Sequence, residues 1–263
     1  MNPSMADLTI VVPTYNERER LDPLLMGIFQ AADAQLINVQ VVVVDDNSVD
    51  GTGQRADEWA RGGRVRVVHR PKKLGLGSAV LDGFAVADSN IVGVMDADLS
   101  HPPDLIPILY STMRAGDLDF VVASRYVPDG GTRDWAFARR ALSRVACWLA
   151  RPITPVRDAT SGFFLARRDR LDGFRTRVRG FKIGLELFVR AEPRRVAEVG
   201  YVFVGRTSGQ SKLTLRECTG FILQLAGLYV RSLSGAAARP GHFIVPVRAE
   251  SRTTASVARR LGA

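Results

Sequence analysis

The chain has 263 residues, 46 % of them hydrophobic and 24 % charged, with a formal net charge of +9. That apolar content rules out wholesale disorder, and the length suits one large α/β domain or two smaller ones. The charge is local: of 36 basic and 27 acidic residues, 12 and 3 fall between Arg139 and Lys182, leaving 24 of each elsewhere. One stretch therefore either seeks an anion or forms a solvated face, and the rest of the chain is balanced.

In chain order, residues 8–13 form a β-branched run that predicts a strand, and 17–34 a helix. Residues 39–46 are a near-continuous valine run, as in a strand buried on both faces. A helix over 53–61, a strand over 64–69, a helix over 77–87, a strand over 90–96, a helix over 103–114 and a strand over 119–124 follow. This alternation predicts a Rossmann-like α/β fold: a mostly parallel, twisted sheet with helices on both faces. Beyond Arg125 the rhythm changes. Residues 127–133 read as a Gly/Pro loop, 136–150 as an arginine-bearing helix, 159–167 as a strand returning to the sheet, 183–191 as a helix and 197–205 as a strand. A long helix over 213–234, apolar along one side, closes a single domain spanning 1–234. Residues 235–263, small, polar and basic, are expected to be a loose tail.

Cys147 and Cys218 are too few for a disulfide framework or a four-cysteine zinc site. The first seven residues lack a charged segment followed by an apolar one, and the uncharged run 218–230 is shorter than the ~20 residues a spanning helix needs. The expectation is a chain made in the cytosol that does not cross a membrane by itself.

Parallel sheets bind ligands at the carboxyl ends of their strands, and the polar residues collect there. The ends carry Pro13-Thr14-Tyr15-Asn16-Glu17, Asp45-Asp46-Asn47-Ser48, Asp96-Ala97-Asp98-Leu99-Ser100-His101 and Ser124-Arg125-Tyr126. Two carboxylates two residues apart, Asp96 and Asp98, can share a hard divalent cation, Mg²⁺ or Mn²⁺; alternatively Asp98 caps the next helix. Gly75-Leu76-Gly77 lacks the rest of a dinucleotide fingerprint, which disfavours a nicotinamide enzyme. His101 reads as a loop residue near the metal rather than a base. A nucleic-acid-binding module would explain the charge but not aspartates at several strand ends, and no nucleic-acid-binding motif is present.

With Val12-Pro13-Thr14-Tyr15-Asn16-Glu17, Asp45-Asp46-Asn47-Ser48-Val49-Asp50-Gly51-Thr52 and Asp96-Ala97-Asp98-Leu99-Ser100-His101-Pro102-Pro103, the chain resembles the family-2 glycosyltransferases of GT-A fold. Asp158-Ala159-Thr160-Ser161-Gly162-Phe163, Gly180-Phe181-Lys182-Ile183 and the run from Gly205-Arg206 to Ser211-Lys212-Leu213 narrow the resemblance to the polyprenol (dolichol) phosphate mannosyltransferases.

The resemblance implies GDP-mannose lying across the strand ends. Pro13, Tyr15 and Glu17 would line the nucleotide pocket, with Asp45 or Asp46 near base and ribose. Asp96, Ala97 and Asp98 would meet the diphosphate, and Asp96 and Asp98 the metal. Ser100 stands where the family often has Gln, so its part as a ligand stays open. Arg125, Arg206 and Lys212 match positions that contact diphosphate or acceptor phosphate. Arg139 and Ser143, four apart on a helix and so facing one way, match acceptor-phosphate positions. Asp98, Arg125, Arg206 and Lys212 are the expected catalytic set. The acceptor would be a polyprenyl phosphate, already anionic, so no general base is needed. Residues 205–213 would form a closing loop, and 221–233 a helix that packs on the core, contacts the bilayer, or both. The expected place is the cytoplasmic face of a membrane, held peripherally by the basic stretch. Another nucleotide sugar of the UDP-glucose type, a soluble acceptor, and a membrane-protein partner all stay open.

Overall fold

The computed structural model describes residues 5–171, 182–205, 215–234 and 241–245, with the backbone alone at 215–218 and 233–234. The first half follows the predicted rhythm: β1 (Leu8–Thr14), α1 (Arg18–Asp33), β2 (Val39–Asp45), α2 (Thr52–Ala60), β3 (Val65–His69), α3 (Leu76–Ala85), β4 (Ile91–Val94), α4 (Leu105–Ala115) and β5 (Phe120–Ser124). The second half adds β6 (Gly131–Arg133), α5 (Phe137–Ala150), β7 (Phe164–Arg167), α6 (Ile183–Ala191), β8 (Arg195–Gly200), β9 (Val202–Val204), α7 (Leu215–Ser234) and β10 (Gly241–Val245).

Eight strands form one sheet in the order β10-β8-β5-β7-β4-β1-β2-β3, all parallel except β7. Period-two alternation splits the core between its faces. Leu8, Ile10, Val12, Val41 and Val43 pack with Leu25 and Ile28 of α1 and Ile106 and Leu109 of α4. Val11, Val42 and Val44 pack with Val80 and Phe84 of α3, Leu185 and Phe188 of α6 and Phe221, Leu225 and Leu228 of α7. Each fully buried valine or leucine is worth about 1.5–3 kcal/mol, which is why this pattern outweighs local propensity.

Three features place the site. The order runs outward from β1 through β2 to β3 on one side and through β4 on the other, so a crevice opens at the carboxyl ends of β1 and β4. Because β7 is antiparallel, it starts at the edge where β4 and β5 end: Phe164 lies opposite Val94 and Val122. Ser161-Gly162-Phe163 thus enters the same edge, and β7 lies between β4 and β5.

Two expectations change. The strand expected over 197–205 is two strands, because the chain leaves the main sheet at Tyr201 and Val202–Val204 pairs with Gly131–Arg133 as a second, two-stranded sheet. Gly200 allows the crossing: a Cβ there would stand 2.1 Å from the Pro128 carbonyl oxygen. The tail expected from 235 onward contains Gly241–Val245, which pairs in parallel with β8 at the sheet edge and buries Val245. The contiguous apolar run Phe243-Ile244-Val245 is enough to extend an open edge.

Candidate functional site

The loops after β1 and β2 are tied to each other. Asp45, buried at the end of β2, accepts from the Thr14 hydroxyl at 3.0 Å and from the Ser48 backbone N–H at 3.0 Å and hydroxyl at 2.5 Å. Ser48 in turn accepts the Asn16 N–H at 2.9 Å. Asp46 forms a buried ion pair with Arg70 and accepts the Gly75 N–H at 3.2 Å, while Arg70 also donates to Ser78 at 2.6 Å. Both aspartates stand at the expected edge, but the protein's own donors occupy them, and what they observably do is hold loops. Arg70 drew no notice from sequence because a lone basic residue after a strand has no distinguishing pattern. Tyr15 is exposed with the Lys73 ammonium 3.6 Å from its ring centre. Pro13 is half-buried, and Glu17 pairs with Arg20 at 2.6 Å.

The loop after β4 carries the acidic half of the site. Asp98 is buried, and its Oδ1 accepts the Ser100 N–H at 3.1 Å and the Ser100 hydroxyl. Leu99 adopts a left-handed backbone, φ 61°, that turns Ser100 back under Asp98; such strain in a bulky residue persists only where the surroundings enforce it. Ala97 is buried and Asp96 half-exposed. The Asp96 Oδ2 lies 3.1 Å from His101 Nε2, and His101 Nδ1 lies 3.1 Å from the Tyr201 hydroxyl. His101 is 1 % exposed and enclosed by Phe163, Tyr201 and Phe203. It therefore orients Asp96, a more definite part than the loop residue expected.

These residues fit a divalent cation. Their donors are hard carboxylate oxygens, and a Cβ on Gly162 would stand 3.2 Å from Asp96 Oδ2, so glycine keeps that carboxylate's face open. Among the described residues no group of three or more His, Cys, Asp or Glu could hold an ion unaided. One or two carboxylates suffice for an ion that shares its coordination with substrate phosphates. Ser100 is turned onto Asp98, and its observed contact is that of an orienting residue.

The cationic half lies beyond β7. Arg125 is buried and meets Asp158 three times: backbone N–H to Oδ2 at 2.9 Å, Nε to Oδ2 at 2.7 Å and Nη2 to Oδ1 at 2.6 Å. Nη2 also donates to Thr160 Oγ1 at 2.8 Å, and that hydroxyl lies 3.4 Å from Ser143 Oγ. Burial alone would raise the Asp158 pKa; the Arg125 charge and its hydrogen bonds outweigh burial and hold the carboxyl below the ordinary range. The same pairing keeps Arg125 charged against its own burial. Arg125 thus stands at the end of β5, where it was expected, and Asp158 and Thr160 fix the direction of its guanidinium. Burial, together with the Asp158 charge, pushes the neighbouring Cys147 thiol up to about 11, so it is neither thiolate nor nucleophile at neutral pH.

Arg139 and Ser143 share the inward face of α5. The Arg139 guanidinium lies 4.0 Å from the Trp135 ring centre and that of Arg125 5.1 Å, so one indole organises both cations. The Trp135 indole nitrogen is buried without a hydrogen-bond partner. Sequence reading missed Trp135, since an isolated tryptophan before a helix looks like any core anchor. Lys182, half-buried, feels Arg125, Asp96 and Asp158; burial and then Arg125 hold its pKa down. Arg206 and Lys212 lie outside the described residues. The strand leading to them ends at the site, with Val204 N–H 3.5 Å from the Ser100 carbonyl and Gly205 N–H 3.2 Å from that of Arg133.

Residues 9–181 match the model of glycosyl transferase family 2. The chain belongs to glycosyl transferase family 2. It is 39 % identical over 210 residues to the dolichol-phosphate mannosyltransferase of Pyrococcus furiosus, a match covering 78 % of this chain and 59 % of that longer relative. It is 36 % identical to the dolichol-phosphate mannosyltransferase of Saccharomyces cerevisiae, over 85 % of this chain and 87 % of that one. The expected resemblance is borne out. A mannosyltransferase from Pyrobaculum calidifontis, solved with GDP-Man and Mn²⁺, superposes with a TM-score of 0.64 at 18 % identity over 90 % of this chain and 67 % of that one, which bears out the fold.

Proposed function

We propose that the chain is an inverting mannosyltransferase that moves mannose from GDP-mannose to a polyprenyl monophosphate, giving polyprenyl β-mannosyl phosphate and GDP. The observation that carries this reading is a site with two halves. An acidic edge, Asp96 and Asp98 with Gly162 clearing its face, adjoins a cationic cluster, Arg125 and Arg139 on Trp135. Two anionic phosphorus groups must be brought together, and each half suits one of them.

Asp96 and Asp98 would hold Mg²⁺ or Mn²⁺ against the donor diphosphate. When bound, the cation supplies positive charge to the diphosphate as it departs. Pro13, Tyr15 and Glu17 line the nucleotide side, with Asp45 and Asp46 setting the loops around base and ribose. Arg139 and Ser143, backed by Arg125, receive the acceptor phosphate; a guanidinium offers paired donors that match phosphate oxygens. An acceptor phosphate oxygen attacks the anomeric carbon as the bond to the β-phosphate breaks, and that electron pair leaves with GDP. The attacking oxygen is already ionised, so the site needs orientation and charge, not a base. Arg206 and Lys212 would close over the leaving diphosphate.

The acceptor also calls for a membrane surface. No described helix is long and apolar enough to cross one. On α5, the outward stripe carries Phe137 at 79 % and Trp148 at 71 % exposed, beside exposed Arg140 and Arg144. Ile222, Leu223 and Val230 of α7 are exposed too, while Phe221, Leu225 and Leu228 of the same helix are in the core. Tyr229 on α7 donates to the Leu149 carbonyl on α5 at 2.6 Å, so the two helices adjoin. Apolar side chains flanked by arginines suit the surface of an anionic bilayer, on the cytoplasmic face. The bilayer reading of 221–233 thus widens to include α5.

Purified protein with Mg²⁺ or Mn²⁺ and labelled GDP-mannose should yield label extractable with polyprenyl phosphate. Transfer to a water-soluble acceptor alone, or from UDP-glucose alone, would overturn the assignment. Arg139→Ala should raise the acceptor KM by about tenfold, the loss of one charge-assisted contact, with the GDP-mannose KM unchanged; the opposite split would move Arg139 to the donor side.

A further inference from the structure

The strand formed by Gly241–Val245, expected as tail, reaches the site through one side chain. Glu198 on β8 is 0 % exposed. Its Oε1 accepts the Asp158 N–H at 3.0 Å, its Oε2 accepts the Arg157 N–H at 2.8 Å, and His242 Nε2 lies 2.9 Å from the same Oε2. A carboxylate only accepts, so the imidazole N–H donates. A carboxylate removed from water is tolerated when donors surround it, and each donor lost leaves it under-satisfied. Three donors hold Glu198 here, and the two on the backbone belong to the segment that presents Asp158 to Arg125. The path from the sheet edge to the guanidinium is therefore His242, Glu198, the 157–158 backbone, Asp158, Arg125.

We propose that His242 is a positioning residue: by bonding the buried Glu198 it fixes the backbone that seats Asp158 against Arg125, and so makes the strand Gly241–Val245 a working part of the acceptor half of the site. In assigning that half to the acceptor, the inference rests on the function proposed above. The strand does not depend on His242 for its place, since five backbone pairings with β8 and the buried Val245 hold it. His242 can therefore be changed without detaching β10.

The test uses the whole 263-residue chain with His242→Phe, which keeps an aromatic ring but no donor, and His242→Gln, which restores an N–H at similar reach. Two quantities are read: hydrogen exchange at the Arg157 and Asp158 amides, and the KM of each substrate. His242→Phe should speed exchange at those two amides by about tenfold, the order expected for one lost donor to a buried charge. It should raise the acceptor KM several-fold and leave the GDP-mannose KM alone, and His242→Gln should recover both. Unchanged exchange in His242→Phe, or a His242→Gln no better than His242→Phe, would overturn the proposal. The exchange arm needs no substrate, so a wild-type chain that failed to mannosylate polyprenyl phosphate would refute the proposed function and leave this test standing.

Discussion

Asp98→Ala is expected to lower mannosyl transfer at saturating substrates by about a thousandfold, the upper end of what one group stabilising developing charge contributes. Denaturant midpoints report separately on the structural share of this buried carboxylate, which accepts two bonds from Ser100. The variant should also lose Mn²⁺ binding in the presence of GDP, measured by paramagnetic resonance of the free ion. Ser100→Ala should cost less, about 10- to 100-fold, since Ser100 acts by orienting Asp98. An Asp98→Ala enzyme of near-normal rate, or one that binds Mn²⁺ as the wild type does, would remove Asp98 from the metal site and leave it as the turn residue that its Ser100 bonds equally describe. His101→Phe should fall between the two. It preserves the aromatic enclosure formed with Phe163 and Phe203 but removes the contact with Asp96 Oδ2.

Much of the architecture was legible because valine runs and βα alternation are long-lived signals: they report burial on both faces of a parallel sheet, and burial is what the fold pays most heavily to keep. The carboxyl-end motifs were legible for a related reason. Ligand-bearing loops of a parallel sheet are confined to one edge by topology, so polar clusters there have few alternative meanings. What sequence could not supply was the partner of each charge. Arg125 was visible as a cation at a strand end, but only the fold brings Asp158, 33 positions later, to within 2.7 Å of it. Trp135 and Arg70 were equally hidden, since their roles depend on which side chain lies across the loop. The strand at Gly241–Val245 was missed because five residues at a sheet edge, amid a small, polar and basic stretch, weigh little against composition averaged over the tail.

The Arg125–Asp158 pair should dominate the stability of the cationic half. Removing one member of a buried ion pair leaves a desolvated charge and costs about 3–5 kcal/mol, whereas replacing both by apolar residues of similar volume is far milder. Asp158→Asn should therefore lower unfolding stability by about 3–5 kcal/mol at neutral pH, read from denaturant midpoints. The double variant Arg125→Met with Asp158→Leu should recover a good part of that loss while remaining inactive, because the backing for Arg139 and Ser143 is gone. The pH dependence fixes the sign. The folded Asp158 carboxyl titrates below its unfolded value, so its stabilisation is complete above the unfolded value near ~4 and disappears only as pH falls through the lower folded value. The gap between wild type and Asp158→Asn should thus stay constant from pH 8 down to about 5 and narrow only in stronger acid. A gap that closed between pH 7 and 6 would mean that a group other than this carboxylate carries the stabilisation, and a double variant no more stable than Asp158→Asn would mean that the site's strength lies in packing around Cys147 and Thr160 and not in the charge pair.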